Sequence, residues 1–321
     1  MAVDAMGGDR APGEIVAGAL RAAEKLGIAV SLVGPPGRLG NVGGLEVIPA
    51  SEVIGMDEEP GAAVRRKKDS SLVRAAEAVR DKRAIAMVSA GNTGAAMASA
   101  LLRMGRLRGV TRPAIATPIP NLGSTPTVLL DAGANAECNP SMLVQFAQMG
   151  AAFARARYSV SDPRVALLSI GEEPTKGSPL VKQAHSLLLD VAGIDFIGNV
   201  EGRDLLAGAA DVVVTDGFTG NVALKTLEGA LRFFMGTLAR VLATNDETSQ
   251  AAKVLWPHLA PIAEAFDPDN TGGAMLLGVD GVCVISHGSS SAGAIAAAVA
   301  VAHDLAVEGL PELLAAAVAP V

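Results

Sequence analysis

A short Val/Ile/Leu/Ala run that ends in a Gly-, Ser- or Asp-rich loop and then opens a helix recurs ten times in this chain. The clearest cases are Ala2 to Asp9 (AVDAMGGD), Met87 to Ala95 (MVSAGNTGA), Val128 to Asn135 (VLLDAGAN), Leu167 to Gly177 (LLSIGEEPTKG), Val212 to Asn221 (VVVTDGFTGN) and Val284 to Gly293 (VISHGSSSAG). Each such junction offers free backbone N–H groups and the positive end of a helix dipole to an anion. The pattern predicts a parallel sheet whose strand ends converge on one rim, with a phosphate-like ligand there. The polar and glycine positions of these loops are the candidates for binding it: Asp4, Gly7, Gly8, Ser89, Asn92, Thr93, Asp131, Asn135, Glu172, Asp216, Thr219, His287, Gly288, Ser289 and Ser290.

No nucleotide fingerprint accompanies these loops. GxGxxG is missing after the first strand, and Gly34-Pro35-Pro36-Gly37 has the wrong spacing. Gly171 to Gly177 superficially resembles a Walker loop, but its Lys176 precedes the second glycine. The ligand is then inorganic phosphate or a small phosphorylated compound. Carboxylates around such an anion could orient a cation and backbone amides, or hold a divalent ion. Cys138 sits in a loop with nothing basic paired to it in sequence, so packing is expected of it rather than nucleophilic attack.

Elements must bring these loops together. Strand-like runs occur near Ala2 to Asp4, Ile28 to Val33, Leu45 to Ile48, Ile85 to Ser89, Ala114 to Pro118, Thr127 to Asp131, Val165 to Ile170, Asp195 to Val200, Val212 to Thr215 and Val282 to Ser286. Helical patterns separate them, as at Gly13 to Leu26 and Ser71 to Lys82. The alternation predicts a three-layer α/β/α sandwich with a mostly parallel sheet. No linker or composition break divides the 321 residues, so residues 1–321 are expected to form a single domain with two intertwined lobes.

Half of the residues are hydrophobic but only 3% are aromatic, which suits close helix packing on both sheet faces. A net charge of −7 argues against nucleic acid as a partner. Two cysteines without CxxC spacing fit a reducing compartment and no structural metal. The N-terminus has no signal-peptide pattern, and no segment has membrane-spanning length, so a cytoplasmic location is expected.

One stretch, residues 222–268, departs from this economy of aromatics. Val222 to Ala243 reads as a helix with a wide apolar side, and after a polar turn at Thr244 to Gln250 comes a second apolar segment, broken by Pro257 and Pro261. Phe233, Phe234, Trp256 and Phe266 all fall here. Such a hairpin is expected at a dimer interface or as a shallow membrane tip led by Leu255, Trp256 and Leu259.

DAMGGD, VRRKKDSS, SAGNTGA, RPAIATPIP, LLDAGANAECNP, SIGEEPTKG, NVEGRD, DGFTGNVALKTLEG and GGAMLLGVDGVCVISHGSS occur in that order. Together they resemble the bacterial acyl-carrier-protein:phosphate acyltransferases of phospholipid synthesis over essentially the whole chain. The resemblance implies a homodimer with a fold similar to the isocitrate and isopropylmalate dehydrogenases and the phosphotransacetylases. It implies transfer of a long-chain acyl group from acyl carrier protein to inorganic phosphate, and passage of the acyl phosphate to a membrane glycerol-3-phosphate acyltransferase. It favours a site without metal or other cofactor, in an enzyme associated peripherally with the inner face of the cell membrane.

Phosphate is already anionic and a thiolate leaves readily, so such a site chiefly has to hold developing negative charge. Lys176 is the candidate cation. The resemblance places Asn221 beside it as an amide donor, although an asparagine at a helix start could serve only as an N-cap. Two basic runs, Arg65, Arg66, Lys67 and Lys68, then Arg103 and Arg106 with Arg108 and Arg112, are expected to dock the acidic carrier. The chain departs from the family pattern at Ser178-Pro179, where Asn and Glu are usual, and at Thr271, where an aromatic residue is common. Two other functions fit parts of the sequence. One is a metal- and NAD-dependent hydroxyacid dehydrogenase, which lacks a fingerprint here; the other is a non-enzymatic, membrane-docked scaffold that channels acyl groups.

Overall fold

The computed structural model describes residues 1–121, 125–265 and 272–318. Among them the strands are β1 (Ala2–Asp4), β2 (Ser31–Gly34), β3 (Glu46–Pro49), β4 (Ala86–Ser89), β5 (Ala114–Ile119), β6 (Thr127–Leu130), β7 (Arg164–Leu168), β8 (Asp195–Val200), β9 (Val212–Val214), β10 (Ala274–Leu277) and β11 (Val282–Ile285). The helices are α1 (Gly13–Leu26), α2 (Pro60–Arg66), α3 (Ser71–Arg80), α4 (Thr93–Ser99), α5 (Pro140–Tyr158), α6 (Pro179–Leu188), α7 (Gly217–Leu242), α8 (Asp246–Ala265), α9 (Ala292–Val307) and α10 (Leu310–Ala317).

All strands join one 11-stranded sheet in the order β3-β2-β1-β4-β11-β10-β5-β6-β9-β7-β8. The expected α/β/α sandwich is present, and the sheet is mostly parallel. The three pairings β11–β10, β10–β5 and β5–β6 are antiparallel. An odd number of reversals inverts the strand sense, so β1 to β4 and β11 run one way while β6 to β9 run the other. The expectation of a single rim is therefore corrected. The loops fall into two groups, one after β1, β4 and β11 and one after β6, β7 and β9, which leave the sheet in opposite senses.

Strands buried on both sides read as unbroken apolar runs, and pleat alternation sends neighbours to opposite faces. On one face Val3, Leu32, Val88, Leu130, Leu167, Val214 and Val284 join residues of α1, α5, α9 and α10 in a single core. The other face is divided. Ala2, Val33, Met87 and Ile285 pack with α2, α3 and α4, whereas Leu129, Ala166 and Val213 form a smaller cluster under α7.

The hairpin differs from expectation in three details, one being that α8 already begins at Asp246, inside the expected turn. α7 begins at Gly217 rather than Val222, and α8 runs unbroken through Pro257 and Pro261. A proline inside a helix forfeits one backbone hydrogen bond and bends the helix, and the rest of the ladder can continue past it. Phe266 and Thr271 lie outside the described residues. No single described helix is long and apolar enough to cross a membrane; α9 and α10 pass that test only as a pair bent by 59°.

Candidate active site

The loops after β6 and β9 interlock. Asp131 is fully buried, and each of its carboxylate oxygens is surrounded by donors. Oδ1 accepts from the N–H groups of Ile115 (3.0 Å), Gly133 (3.1 Å) and Ala134 (2.9 Å). Oδ2 accepts from Asn135 N–H (2.7 Å) and the Asn135 amide (2.9 Å). A carboxylate so dressed fixes a loop and has no capacity left for substrate. The first turn of α7 rests on that loop. Gly217 N–H donates to Asn135 O at 2.8 Å, and a Cβ at Gly220 would stand 1.9 Å from Asp131 O, so only glycine permits this approach.

Asp216 is the N-cap of α7, accepting from Thr219 N–H at 2.9 Å and from the Thr219 hydroxyl at 2.8 Å. Asn221 lies one turn further on, so the N-cap alternative for it is corrected. Its side chain is exposed and stands over Gly133, where a Cβ would meet Asn221 Cβ at 3.4 Å.

Lys176 sits at the same edge of the sheet. Strand β7 adjoins β9 in parallel, so the loop after β7 emerges beside the start of α7. Lys176 is exposed, its stem lies against Gly171, where a Cβ would meet Lys176 Cγ at 2.8 Å, and it forms no ion pair among the described residues. Its loop is tied at the base by Glu173 O, which accepts from Lys176 N–H at 2.9 Å and from the Asn199 amide at 3.0 Å. Asn199, in NVEGRD, is buried, and its Oδ1 has no hydrogen-bond partner among the described residues, as is also true of Ser169 Oγ. The motif was visible in the sequence, but its hold on the Lys176 loop depends on β8 pairing with β7. Glu172 turns outward to Arg203 at 3.5 Å. Ser178-Pro179 starts α6, with the Ser178 hydroxyl accepting from Val181 N–H.

The second group of loops, after β1, β4 and β11, closes on itself. Asp4 accepts from the Ser89 hydroxyl at 2.7 Å and from Met6 N–H at 3.3 Å. Burial pushes its pKa up, against the hydrogen bonds of Ser71, Ser89, Met6 and Gly7. Gly7 is packed so tightly that a Cβ would lie 2.5 Å from Asp4 Oδ2, and Asp9 N–H donates to Gly288 O at 2.8 Å beside Gly8. Asn92 caps α4 ahead of Thr93, accepting from Ala95 N–H at 3.0 Å. His287 is exposed, with Nδ1 2.9 Å from the Ser289 hydroxyl; Ser290 is buried, and Ser291 caps α9.

The basic runs are partly neutralised. Glu58 pairs with Arg66 at 2.7 Å and also with Lys67, and hydrogen bonds from Gly55 and Lys67 hold its pKa down. Arg103 faces Glu77 at 3.7 Å, and Arg106 donates to Thr111 O. Arg65 and Lys68 are exposed without an ion pair among the described residues. Burial pushes the Cys138 thiol up to about 11, which agrees with packing rather than nucleophilic attack.

A family model described as a fatty acid synthesis protein matches residues 1–313. The chain is 47% identical over 312 residues to the phosphate acyltransferase of Nostoc punctiforme, covering 95% of this chain and 92% of that one. It is 49% identical over 315 residues to the phosphate acyltransferase of Pelotomaculum thermopropionicum, covering 95% and 90%. In shape it is similar to a phosphotransacetylase from Streptococcus pyogenes, with a TM-score of 0.64, 17% identity, and coverage of 96% and 94%. A 4-hydroxythreonine-4-phosphate dehydrogenase from Klebsiella pneumoniae gives a TM-score of 0.55 at 14% identity, with coverage of 95% and 98%. At these low identities the two shape matches establish a shared fold and nothing finer.

Proposed function

The chain belongs to the phosphate acyltransferases, and from that premise we propose that it moves a long-chain fatty acyl group from acyl carrier protein to inorganic phosphate, giving acyl phosphate for phospholipid synthesis. The observation that supports this most is the pairing of neighbouring segments at one sheet edge: an exposed Lys176 after β7, without an ion pair among the described residues, and Asn221 on the first turns of the helix after β9. A phosphate oxygen attacks the thioester carbonyl carbon, and the new C–O bond turns the carbonyl oxygen into an oxyanion. Collapse breaks the C–S bond, and the departing thiolate takes a proton from water. Lys176 counters the added negative charge and the Asn221 amide donates to an oxygen of the intermediate. Asp131, Asp216 and Asn199 keep these two loops in place.

In the same proposal the acidic carrier docks through Arg65 and Lys68, with Arg66, Lys67, Arg103 and Arg106 as the partly paired surround. The enzyme works as a homodimer in the cytoplasm, peripherally at the inner face of the membrane, and delivers its product to a membrane glycerol-3-phosphate acyltransferase. The α7–α8 hairpin supports a surface contact, because Phe233 is 71% and Phe234 62% exposed, and Leu255 and Trp256 are also exposed. Mixing long-chain acyl carrier protein, phosphate and enzyme should produce a hydroxylamine-reactive acyl phosphate, with acyl-coenzyme A assayed in parallel. No acyl phosphate from either donor would refute the proposed reaction. For the hairpin, Leu255→Glu with Trp256→Glu should abolish co-sedimentation with liposomes and leave turnover of soluble acyl carrier protein intact. A monomeric or inactive double variant would assign the hairpin to the dimer instead.

A further inference from the structure

Three of the large apolar side chains left in solvent belong to the loop that carries Lys176 and to the first turns of α7, which carry Asn221. Ile170, just past β7, is 82% exposed; Phe218, the second residue of α7, is 66% exposed; Val222 is 51% exposed. Their placement follows the polar pair closely. Ile170 immediately precedes Gly171, against which the Lys176 stem packs. Phe218 and Asn221 are three residues apart and Phe218 and Val222 four, so all three share one side of the first turns of α7. Because β7 and β9 are parallel neighbours, the Ile170 end and the Phe218 end emerge side by side.

The apolar residues within β7 and β9 themselves are buried. Ile170 and Phe218 contribute nothing to that core, and leaving them in water has a hydrophobic cost that a ligand could recover. The capping requirement does not explain them either, since Asp216 and Thr219 meet it without Phe218. We propose that Ile170, Phe218 and Val222 form an apolar collar that grips the first part of the fatty acyl chain while its carbonyl lies between Lys176 and Asn221. The occupant is an alkyl chain because Ile170 sits in the same loop as Lys176 and Phe218 and Val222 flank Asn221 on α7, so the apolar positions lie in the same two segments as the residues assigned to the thioester carbonyl. This rests on the acyl transfer proposed above.

Chain-length dependence tests the collar. The variant Ile170→Ser with Phe218→Ser should lower kcat/KM for a sixteen-carbon acyl carrier thioester by about tenfold or more. The same variant should change a two-carbon thioester by less than about twofold. Ile170→Leu with Phe218→Leu, which restores apolar area, should recover most of the long-chain activity. Equal losses for both thioesters would overturn the collar, as would a change of oligomeric state in sedimentation, which would give these side chains to a second copy of the chain. A parent enzyme that transfers no acyl group to phosphate would instead refute the reaction itself, and the two failures are thereby told apart. If the serine variant does not fold, the leucine pair with Val222→Ser decides the matter by the same ratio.

Discussion

Two aspartates at strand ends, Asp4 closing β1 and Asp131 just after β6, look interchangeable in sequence, each leading into a glycine loop. The structure separates them. Asp131 is held almost entirely by backbone N–H donors that its own loop supplies, together with Ile115 N–H from β5. Asp4 relies on hydroxyls from Ser89 and Ser71, and its burial raises its pKa. The first is a carboxylate whose charge builds a loop; the second is a carboxylate whose charge is costly where it lies. Neither is presented to an anion, and at the β6–β9–β7 edge the exposed Lys176 and Asn221 are the groups left to meet one, since the other exposed polar residues of these loops include the carboxylates Glu137, Glu172 and Glu173.

The contrast can be broken most forcefully at Asp131. Asp131→Ala leaves several buried donors without an acceptor and should cost about 3–5 kcal/mol of stability, read as a large drop in the denaturation midpoint. A variant that melts like the parent would show that the loop holds without its carboxylate. Next in size, Lys176→Ala should slow turnover by about 100-fold, equivalent to about 2.7 kcal/mol, with the melting temperature unchanged because the side chain is exposed. Asn221→Ala should behave similarly in turnover, and since Asp216 is the cap, an accompanying loss of stability would contradict the assignment.

Asp4 gives a smaller and pH-dependent effect. Its pKa is higher in the folded chain than in the unfolded one, so the folded state binds the proton more tightly. The stability linked to this group is full below the ordinary carboxylate value and declines as pH rises through the folded value. Asp4→Asn removes that decline, and the variant should therefore gain stability relative to the parent as pH rises above the ordinary carboxylate value of about 4 in denaturant titrations. A difference that stays constant over that rise would show that Asp4 titrates normally. The smallest change is expected at the surface. Arg65→Glu with Lys68→Glu should raise the KM for acyl carrier protein by a few-fold at low salt, an effect that fades at about 0.15 M salt.

Much of the fold was legible because β strands buried on both faces announce themselves as short apolar runs between glycine loops, as at Val165 to Leu168. β10 was not, since Ala274–Leu277 sits in one apolar stretch with Val279 and has neither alternation nor a helix after it to mark a crossover. Missing that strand hid the change of sense across the sheet, and with it the division of the loops into two groups. The nearness of Lys176 to Asn221 was legible only through the family resemblance, not from the order of the elements. It comes from β9 inserting between β6 and β7, an order that the chain does not follow. Pro257 misled for a local reason: its ring weakens a helix without having to end it. Asp216, by contrast, was plain in sequence as a polar residue before a helix, yet only the hydrogen bond to Thr219 showed that it, and not Asn221, is the cap.

The insertion of β11 between β4 and β10 has a consequence for synthesis. Val282 to Ile285 pair with Ala86 to Ser89, so the edge of β4 waits for a strand synthesised long after it. Until that strand leaves the ribosome, the N-terminal part of the sheet has an open, apolar margin able to pair with a neighbouring nascent chain. Folding of this part of the molecule is consequently tied to synthesis of residues as far as Ile285, and a chain cut short before Val282 keeps a finished-looking sequence for β1 to β4 with no neighbour to close it.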